Sequence, residues 1–364
     1  MTARAYLDHA ASSPLRPAAR AAIAQALDLA GNASSVHEEG RAARAAVESA
    51  RRSLATAIGG AAGRMVFTSG ATEANAAALA ATGRVLASAV EHPSVLAQPG
   101  VETVPVDRSG RLDLAALATA LESGNVACVA LMLANNETGV LQPVAEAAAL
   151  AHRAGARLHV DAVQAFGRLP FDVAALGADS VALSAHKLGG PKGAGALWLR
   201  DPDAFQPLLR GGGQEHRRRA GTENVAGIVG FAAAAGAIEP EEAGRLAALR
   251  RALETEARLS TGDAAVIAAA VPRLPHITAL ALPGMAAATQ VMALDLAGVA
   301  VSAGAACSSG KVATSHVLAA MGVEPALAES TIRVSLGWST TAGDIDRFLD
   351  AWGSLAGRRG RVAL

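Results

Sequence analysis

The segment Ser180-Val181-Ala182-Leu183-Ser184-Ala185-His186-Lys187-Leu188-Gly189-Gly190 is the strongest indication of the fold in this 364-residue chain. Its first four residues are an apolar run that predicts a short buried strand, and the glycines that follow end the strand in a turn. Lys187 is therefore expected where a strand gives way to a loop, the usual position of chemistry in an open α/β sheet. Its amine can act there as a nucleophile, although an ordinary surface lysine is an equally good interpretation of this segment alone.

Short apolar strands alternate with alanine-rich helices on both sides of this segment. The predicted strands are 65–68, 84–89, 101–106, 126–133, 157–161, 179–184 and 194–200, and the helices between them are 71–81, 113–121 and 143–154. This alternation predicts an α/β fold with a mostly parallel central sheet and helices on both faces. A smaller α/β unit follows, with strands 276–282, 299–303 and 331–336 and helices 286–297, 315–321 and 342–355.

The remaining helices complete the predicted domain organisation. Pro17 predicts the start of a first helix, and the capping-box spacing of Ser35-Val36-His37-Glu38 predicts a second helix that ends near Ile58. Two more helices are predicted at 225–237 and 240–258. We expect an N-terminal segment, 1–14, that packs with the small domain, a large domain at 15–240, and a small C-terminal domain at 241–364.

Composition and charge exclude several classes of partner. The chain has 32 Lys and Arg against 32 Asp and Glu, so its formal net charge is zero. This balance argues against binding to nucleic acid or to an anionic membrane. The N-terminus has no apolar segment of signal-peptide length, and the longest apolar run, 225–238, is shorter than the roughly 20 residues of a membrane span. A soluble cytoplasmic protein is the expectation.

The two cysteines have different surroundings. Cys128 lies inside an apolar predicted strand, which predicts a buried structural thiol. Cys307 lies in a loop of small residues, Ser302 to Gly310, and is a candidate reactive thiol. Neither has the spacing of a metal ligand, so no metal site is predicted.

Polar clusters follow the predicted strands of the large domain. The first, Ser69 to Asn75, has the order strand, glycine turn and helix start, which offers free backbone N–H groups to a phosphate; a plain helix cap is the alternative. Glu91-His92-Pro93 supplies an imidazole that can stack on a flat ring or be an ordinary loop histidine. Asn135-Asn136-Glu137-Thr138-Gly139 is also compatible with ordinary turn chemistry.

The last two clusters complete a set. Asp161 follows strand 157–161 and can hold a ring nitrogen in its protonated form, while Gln164 can donate to a ring oxygen. Lys187 lies in the fifth cluster. A lysine for an imine, a carboxylate for a pyridinium, a phosphate site and a stacking histidine together predict a pyridoxal phosphate site.

Ten motifs make a more specific resemblance, to the cysteine desulfurases, which are in the class V aminotransferase-like group of fold-type I pyridoxal phosphate enzymes. They cover nearly the whole chain: Tyr6-Leu7-Asp8-His9-Ala10-Ala11, Ser69-Gly70-Ala71-Thr72-Glu73-Ala74-Asn75, Glu91-His92-Pro93, Asn135-Asn136-Glu137-Thr138-Gly139, Asp161-Ala162-Val163-Gln164, Ser184-Ala185-His186-Lys187, Gly211-Gly212-Gly213-Gln214-Glu215, Arg219-Ala220-Gly221-Thr222-Glu223-Asn224, the Cys307 loop and Ser330-Thr331-Ile332-Arg333-Val334-Ser335.

The resemblance implies a homodimeric enzyme that takes sulfur from L-cysteine, releases L-alanine and forms a persulfide on Cys307. The sulfur would pass to an acceptor protein in iron–sulfur cluster or thio-cofactor biosynthesis. The implied cofactor is pyridoxal 5′-phosphate. The implied roles are a Schiff base on Lys187, ring contacts from Asp161, Gln164 and His92, proton transfer by Lys187 and His92, phosphate contacts from Ala71, Thr72, Ser184 and His186, a contact from Thr222 to the other subunit's cofactor, Asn136 near the substrate, and a carboxylate clamp at Arg333.

The sequence departs from the family pattern at several places. His9, Ser12 and Ser13 are unusual there, and His216-Arg217 stands where the family usually has Arg or Lys followed by Gly. The stretch between His92 and Val101 is short, so we expect a surface helix to be missing. Two alternatives stay open: a selenocysteine lyase or another class V aminotransferase, although an aminotransferase would not need Cys307, and a catalytically idle sulfur-relay or scaffold subunit.

Overall fold

The computed structural model describes residues 4–80, 83–304 and 315–362, so the prediction for Cys307 lies outside the described residues. The described strands are β1 (Ala5–Tyr6), β2 (Met65–Thr68), β3 (Arg84–Ser88), β4 (Val101–Val104), β5 (Val126–Met132), β6 (Arg157–Asp161), β7 (Ser180–Ser184), β8 (Gly195–Leu199), β9 (Ala265–Val266), β10 (Ile277–Ala281), β11 (Val299–Ala300), β12 (Ser302–Ala303) and β13 (Thr331–Ser335). The described α-helices are α1 (Pro17–Leu27), α2 (Glu38–Ala57), α3 (Ala71–Leu79), α4 (Pro93–Leu96), α5 (Leu114–Glu122), α6 (Val144–Arg153), α7 (Val225–Gly236), α8 (Glu242–Thr261), α9 (Ala287–Leu296), α10 (His316–Ala320), α11 (Pro325–Glu329) and α12 (Ala342–Val362).

The central sheet has seven strands in the order β2-β8-β7-β6-β5-β3-β4. Strand β8 is antiparallel to both of its neighbours, and every other pairing is parallel. All five residues of β7 and of β8 are buried, as expected for apolar runs with both faces covered. The predicted mostly parallel sheet is therefore confirmed, and the carboxyl ends of β5, β6 and β7 meet at one edge.

The secondary structure differs from the sequence-based expectation at four places. Ser35 does not cap α2, because the helix begins at Glu38 and His37 accepts the backbone N–H of Gly40 at Nδ1, 3.3 Å away. The stretch after His92 contains the single turn α4, which the sequence analysis did not predict. The predicted strand 299–303 is divided into β11 and β12, which belong to different sheets. Strand β9 and helix α11 were missed because elements of two and five residues show no periodicity.

The N-terminal residues lie against the C-terminal part of the chain. Strand β1 pairs in parallel with β11, and the backbone N–H of Ala10 donates to Ser335 Oγ at 2.9 Å. Leu7 lies in the same apolar core as Phe348 and Trp352, whose rings stack at 5.6 Å. A second sheet, β12-β13-β10-β9, is antiparallel throughout. From these contacts we propose the division into 1–14, 15–240 and 241–364, with the first part packed on the last.

A buried ion cluster joins the second and third of these parts. The Glu242 carboxylate, at the start of α8, accepts Nη2 of Arg16 at 2.6 Å and also pairs with Nη1 of Arg168. All three side chains are at most 5% exposed. Removal of one member would leave a buried charge without its partner, which typically costs about 3–5 kcal/mol. Separately, none of the described helices is long and apolar enough to cross a membrane.

Candidate active site

Lys187 lies at the end of a 3₁₀ turn, Ala185–Lys187, that directly follows β7. Its Nζ donates to the carbonyl oxygens of Ala10 at 2.6 Å and Ala11 at 2.9 Å. Gln164 Nε2 donates to the same Ala10 oxygen at 3.0 Å. The structure therefore brings Lys187 and Gln164 together beneath the N-terminal segment.

Asp161 is the last residue of β6 and is only 8% exposed. Its Oδ2 accepts from Asn75 Nδ2 at 2.8 Å, and its Oδ1 accepts from the backbone N–H of Val163 at 3.0 Å. A carboxylate has about four lone-pair sites, so these two bonds orient it and leave acceptor capacity. That arrangement suits a carboxylate that receives a further N–H.

His92 caps α4 and has Pro93 as the first helical residue. Its Nδ1 accepts the backbone N–H of Ser94 at 3.1 Å and lies 2.8 Å from Ser94 Oγ. Burial lowers the pKa of His92, the charges of Lys187 and His316 lower it further, and Asp161 opposes the shift. The ring is therefore neutral at pH 7. Ser94 and Asn75 connect it by hydrogen bonds to Asp161.

The first turn of α3 is the candidate phosphate site. Helix α3 begins at Ala71, Thr72 is its second residue, and Gly70 precedes it without a side-chain cap. A Cβ built on Gly70 would meet no described atom within 4 Å, so there is room on that side of the residue that precedes the helix. An uncapped helix N-terminus with room in front of it suits an anion.

Ser184 and His186 lie at the carboxyl end of β7. Ser184 is buried at the end of β7, and Nδ1 of His186 lies 3.3 Å from Ser12 Oγ. Burial and the charges of Lys187 and Lys192 lower the pKa of His186 to about 4. At neutral pH this ring is an uncharged hydrogen-bonding group.

Arg333, in β13, faces the turn after β5. Its Nη1 donates to the carbonyl oxygen of Asn136 at 3.0 Å, and its Nη2 donates to Asp8 Oδ1 at 3.0 Å. The side chain is 5% exposed, and its Nε has no hydrogen-bond partner within the described part of the chain. A buried guanidinium with an unpaired N–H suits a ligand carboxylate.

Thr222 is separate from this group in the single chain. It lines a cavity of about 130 Å³ together with Ser69 and Arg219, and neither Lys187 nor Asp161 is among the described residues around that cavity. Arg219 is paired with Glu73 of α3 at 2.9 Å, so the Thr222 loop is fastened beside the candidate phosphate site.

The loop that leads to Thr222 is conformationally unusual. Glu215, His216 and Arg217 have φ values of 49°, 55° and 67°, the left-handed region that favours glycine. Glu215 is held there by two contacts to Arg51, at 2.6 and 2.9 Å, and by the backbone N–H of Phe67 at 2.8 Å. The departure from the family pattern at Arg217 therefore places a side chain where a glycine would be unstrained.

Arg217→Gly is expected to be more stable than Arg217→Ala by about 1 kcal/mol, because only glycine adopts this φ without strain. Arg218, with φ −97°, is the matched control position. There the alanine variant should be more stable by about 0.4–1 kcal/mol, since glycine adds entropy to the unfolded chain. Urea unfolding at one protein concentration measures the free energy of unfolding of all four variants. If the alanine variant were the more stable one at both positions, that result would contradict the strain at Arg217.

Three residues that connect the candidate site residues were not singled out by the sequence analysis: Asn75, Ser94 and His159. Asn75 is fully buried and joins Asp161 to Ser94, and His159 Nε2 lies 2.9 Å from Asn75 Oδ1. The available signal was an amide and an imidazole inside apolar elements, because buried polar groups need partners. The partners of Asn75 lie 19 and 86 positions away in the chain, so a local pattern cannot identify them.

The donor set fits pyridoxal phosphate. It combines an amine at Lys187, a hydrogen-bonded buried carboxylate at Asp161, an uncapped helix N-terminus at Thr72, and the unpaired Nε of Arg333. These are the groups needed for an aldehyde, a ring nitrogen, a phosphate and an amino-acid carboxylate. Among the described residues, no group of three or more His, Cys, Asp and Glu side chains is arranged to hold a metal ion.

Comparison with known proteins gives consistent matches. Residues 5–348 match the family model of the class-V aminotransferases. A cysteine desulfurase of Cereibacter sphaeroides is 44% identical over 95% of this chain and 94% of its own length. The cysteine desulfurase IscS of Dictyoglomus turgidum is 39% identical over 96% of this chain and 94% of its own. The crystal structure of a NifS-like protein from Rickettsia africae aligns with a TM-score of 0.90 at 34% identity, covering 97% of this chain and 99% of that one.

Proposed function

Because this chain belongs to the class-V aminotransferase family, as its motifs indicated, we propose that it is a pyridoxal phosphate-dependent cysteine desulfurase. The observation that supports the proposal is that Asp161 ends β6, Lys187 follows the neighbouring parallel strand β7, and hydrogen bonds through Ser94 and Asn75 connect His92 to Asp161. The 44% identity to a cysteine desulfurase over nearly the full length of both chains supports the same activity.

Pyridoxal phosphate, when bound, supplies an aldehyde for the amino group and a ring that withdraws electrons from the substrate carbons. Lys187 would hold the aldehyde carbon, Asp161 the ring nitrogen and Gln164 the phenolic oxygen, while His92 would stack on the ring. The phosphate would be bound by Ala71, Thr72, Ser184 and His186. These assignments are supported by the donor set at the strand ends and by the open space before α3.

The substrate would be oriented by two residues that already touch each other. Arg333 would bind the carboxylate of L-cysteine through its unpaired Nε, and Asn136, whose carbonyl accepts from Arg333, would lie beside the bound amino acid. Lys187 would remove the proton from Cα, and His92 would donate a proton. Such positioning brings the reacting groups together before the chemical step.

Cys307 would accept the sulfur. Its thiolate would form an S–S bond with the substrate sulfur while the Cβ–S bond breaks, and the electron pair of that bond would take a proton to give L-alanine. Cysteine and a thiol thus become alanine and a persulfide, and the reaction needs no added oxidant or reductant. An acceptor protein, in iron–sulfur cluster or thio-cofactor biosynthesis, would then receive the sulfur.

The proposal includes a homodimer in the cytoplasm. In it, Thr222 would reach the cofactor of the other subunit, which suits a residue whose cavity is not lined by Lys187 or Asp161 of its own chain. The cavity that Thr222 lines with Ser69 lies beside the first turn of α3.

The purified protein tests this function directly. We expect it to contain pyridoxal phosphate and to convert L-cysteine into equal amounts of L-alanine and persulfide or sulfide. A parallel assay with L-selenocysteine separates a desulfurase from a selenocysteine lyase, and an assay with a 2-oxo acid detects amino transfer. Turnover of selenocysteine alone, transamination without sulfur release, or protein without the cofactor would each overturn the proposal.

A further inference from the structure

One fully buried amide connects two of the proposed catalytic groups. Asn75, on α3, is 0% exposed, and its Nδ2 donates to Asp161 Oδ2 and to Ser94 Oγ, both at 2.8 Å. Its Oδ1 lies 2.9 Å from His159 Nε2. The orientation of the amide is determined, because a flipped amide would point its oxygen at the Asp161 carboxylate.

The amide oxygen of Asn75 contacts the neutral imidazole of His159. Burial, with a smaller effect of Arg157, lowers the pKa of His159 to about 3. The single N–H of this ring must therefore lie on Nε2, facing Asn75 Oδ1, and its Nδ1 accepts from Ser180 Oγ at 2.8 Å. Every hydrogen-bonding group of Asn75 is satisfied by these contacts.

Ser94, which accepts from the amide nitrogen of Asn75, determines which ring nitrogen of His92 carries the hydrogen. The backbone N–H of Ser94 can only donate, so Nδ1 of His92 must carry a lone pair. Asn75 occupies an acceptor position on Ser94 Oγ, which leaves the hydroxyl hydrogen to point at the same Nδ1, 2.8 Å away. In the neutral ring, the hydrogen is consequently on Nε2.

We propose that Asn75 is a positioning residue that acts on two groups at once: it orients the Asp161 carboxylate, and it directs the Ser94 hydroxyl hydrogen to Nδ1 of His92, which reinforces the Nε2–H tautomer set by the Ser94 backbone N–H. His92 accordingly enters the reaction able to donate a proton and unable to accept one at Nε2. The tautomer rests on hydrogen bonds alone, and its catalytic meaning rests on the proposed function. Without Asn75, both Asp161 and Ser94 would lose a buried donor.

The tautomer is tested by NMR on full-length holoenzyme labelled with ¹⁵N-histidine. The chain has nine histidines, so the His92→Gln variant identifies the His92 signals. We expect a directly bonded proton on Nε2 and the downfield shift of an unprotonated nitrogen for Nδ1. A proton on Nδ1 would overturn the proposal.

The coupling is tested with Asn75→Ala, which should lower kcat up to about 10²-fold with a small change in KM and shift the His92 Nδ1 signal. Ser94→Ala removes only the His92 branch, and its effect on kcat should be smaller in the Asn75→Ala background than alone. Ser180→Ala is the control, because it leaves the contacts of Asn75 with Asp161 and Ser94 in place. It should change kcat less than about threefold.

A purely structural Asn75 would give a different result: a lower melting temperature with unchanged kcat and unchanged His92 signals. Should Asn75→Ala fail to fold, Ser94→Ala still decides the His92 branch, because its kcat and Nδ1 shift must both change. Failure of the proposed function is distinguishable, since it would remove desulfurase activity from the wild type without altering the His92 tautomer.

Discussion

Lys187→Ala is expected to lower kcat for L-cysteine by at least about 10²–10⁴-fold, the usual contribution of a positioned acid or base. The loss should exceed that range because the variant also lacks the amine that would hold the cofactor covalently. Sulfide and alanine release measure the activity. Borohydride reduction followed by peptide mass spectrometry measures the attachment, which should disappear from the peptide that contains residue 187.

A second variant separates the charge of Lys187 from its chemistry, and a variant of Lys192 is the control. Lys187→Arg keeps a cation for the carbonyl oxygens of Ala10 and Ala11 but supplies no amine, so it should be inactive and more stable than Lys187→Ala. Lys192→Ala removes an exposed lysine from the same loop and should retain activity close to wild type. If Lys187→Arg kept more than a tenth of the activity, the assignment of Lys187 would be wrong.

Cys307→Ala is expected to retain the bound cofactor and to lose persulfide formation entirely, because no other thiol can receive the sulfur. The second cysteine, Cys128, is 2% exposed, and burial raises the pKa of its thiol to about 12. A buried, protonated thiol is a poor nucleophile. Intact-protein mass spectrometry after incubation with L-cysteine should show one added sulfur atom in the wild type and none in the variant.

Cys128→Ala is the matched control for that experiment. It removes a thiol from the core of β5 and should leave the added sulfur atom in place, although the small cavity should lower stability by about 1 kcal/mol. Peptide mapping then places the sulfur on residue 307. An added sulfur atom in Cys307→Ala that disappears in Cys128→Ala would reverse the two assignments.

The sequence predicted the central sheet well because several of its strands, β5, β7 and β8 above all, are local apolar runs. Strand β7 and the turn that carries Lys187 follow directly from residues 180–190, and Asp161 was expected at the end of β6. Site residues at strand ends are accessible to this reasoning, since the direction of a parallel sheet brings its carboxyl ends together.

The remaining features depend on contacts that no local pattern encodes. The role of Asn75 requires Asp161 and Ser94 at once, and Arg333 finds Asp8 at a separation of 325 positions. The cap of α2 illustrates a different limit. Ser35 had suitable spacing, but the chain conformation that begins the helix at Glu38 gives that position to His37.

The pairing of β1 with β11 has a consequence for the order of folding. Residues 5–10 are translated some 300 residues before their partners, β11 and Ser335, and Ala10 and Ser335 are 325 positions apart. Contacts of such high contact order carry a large loop-closure cost and form late. The carbonyl oxygens of Ala10 and Ala11 that accept from Lys187 belong to this segment, so the lysine environment is completed only after β11 and β13 have been translated.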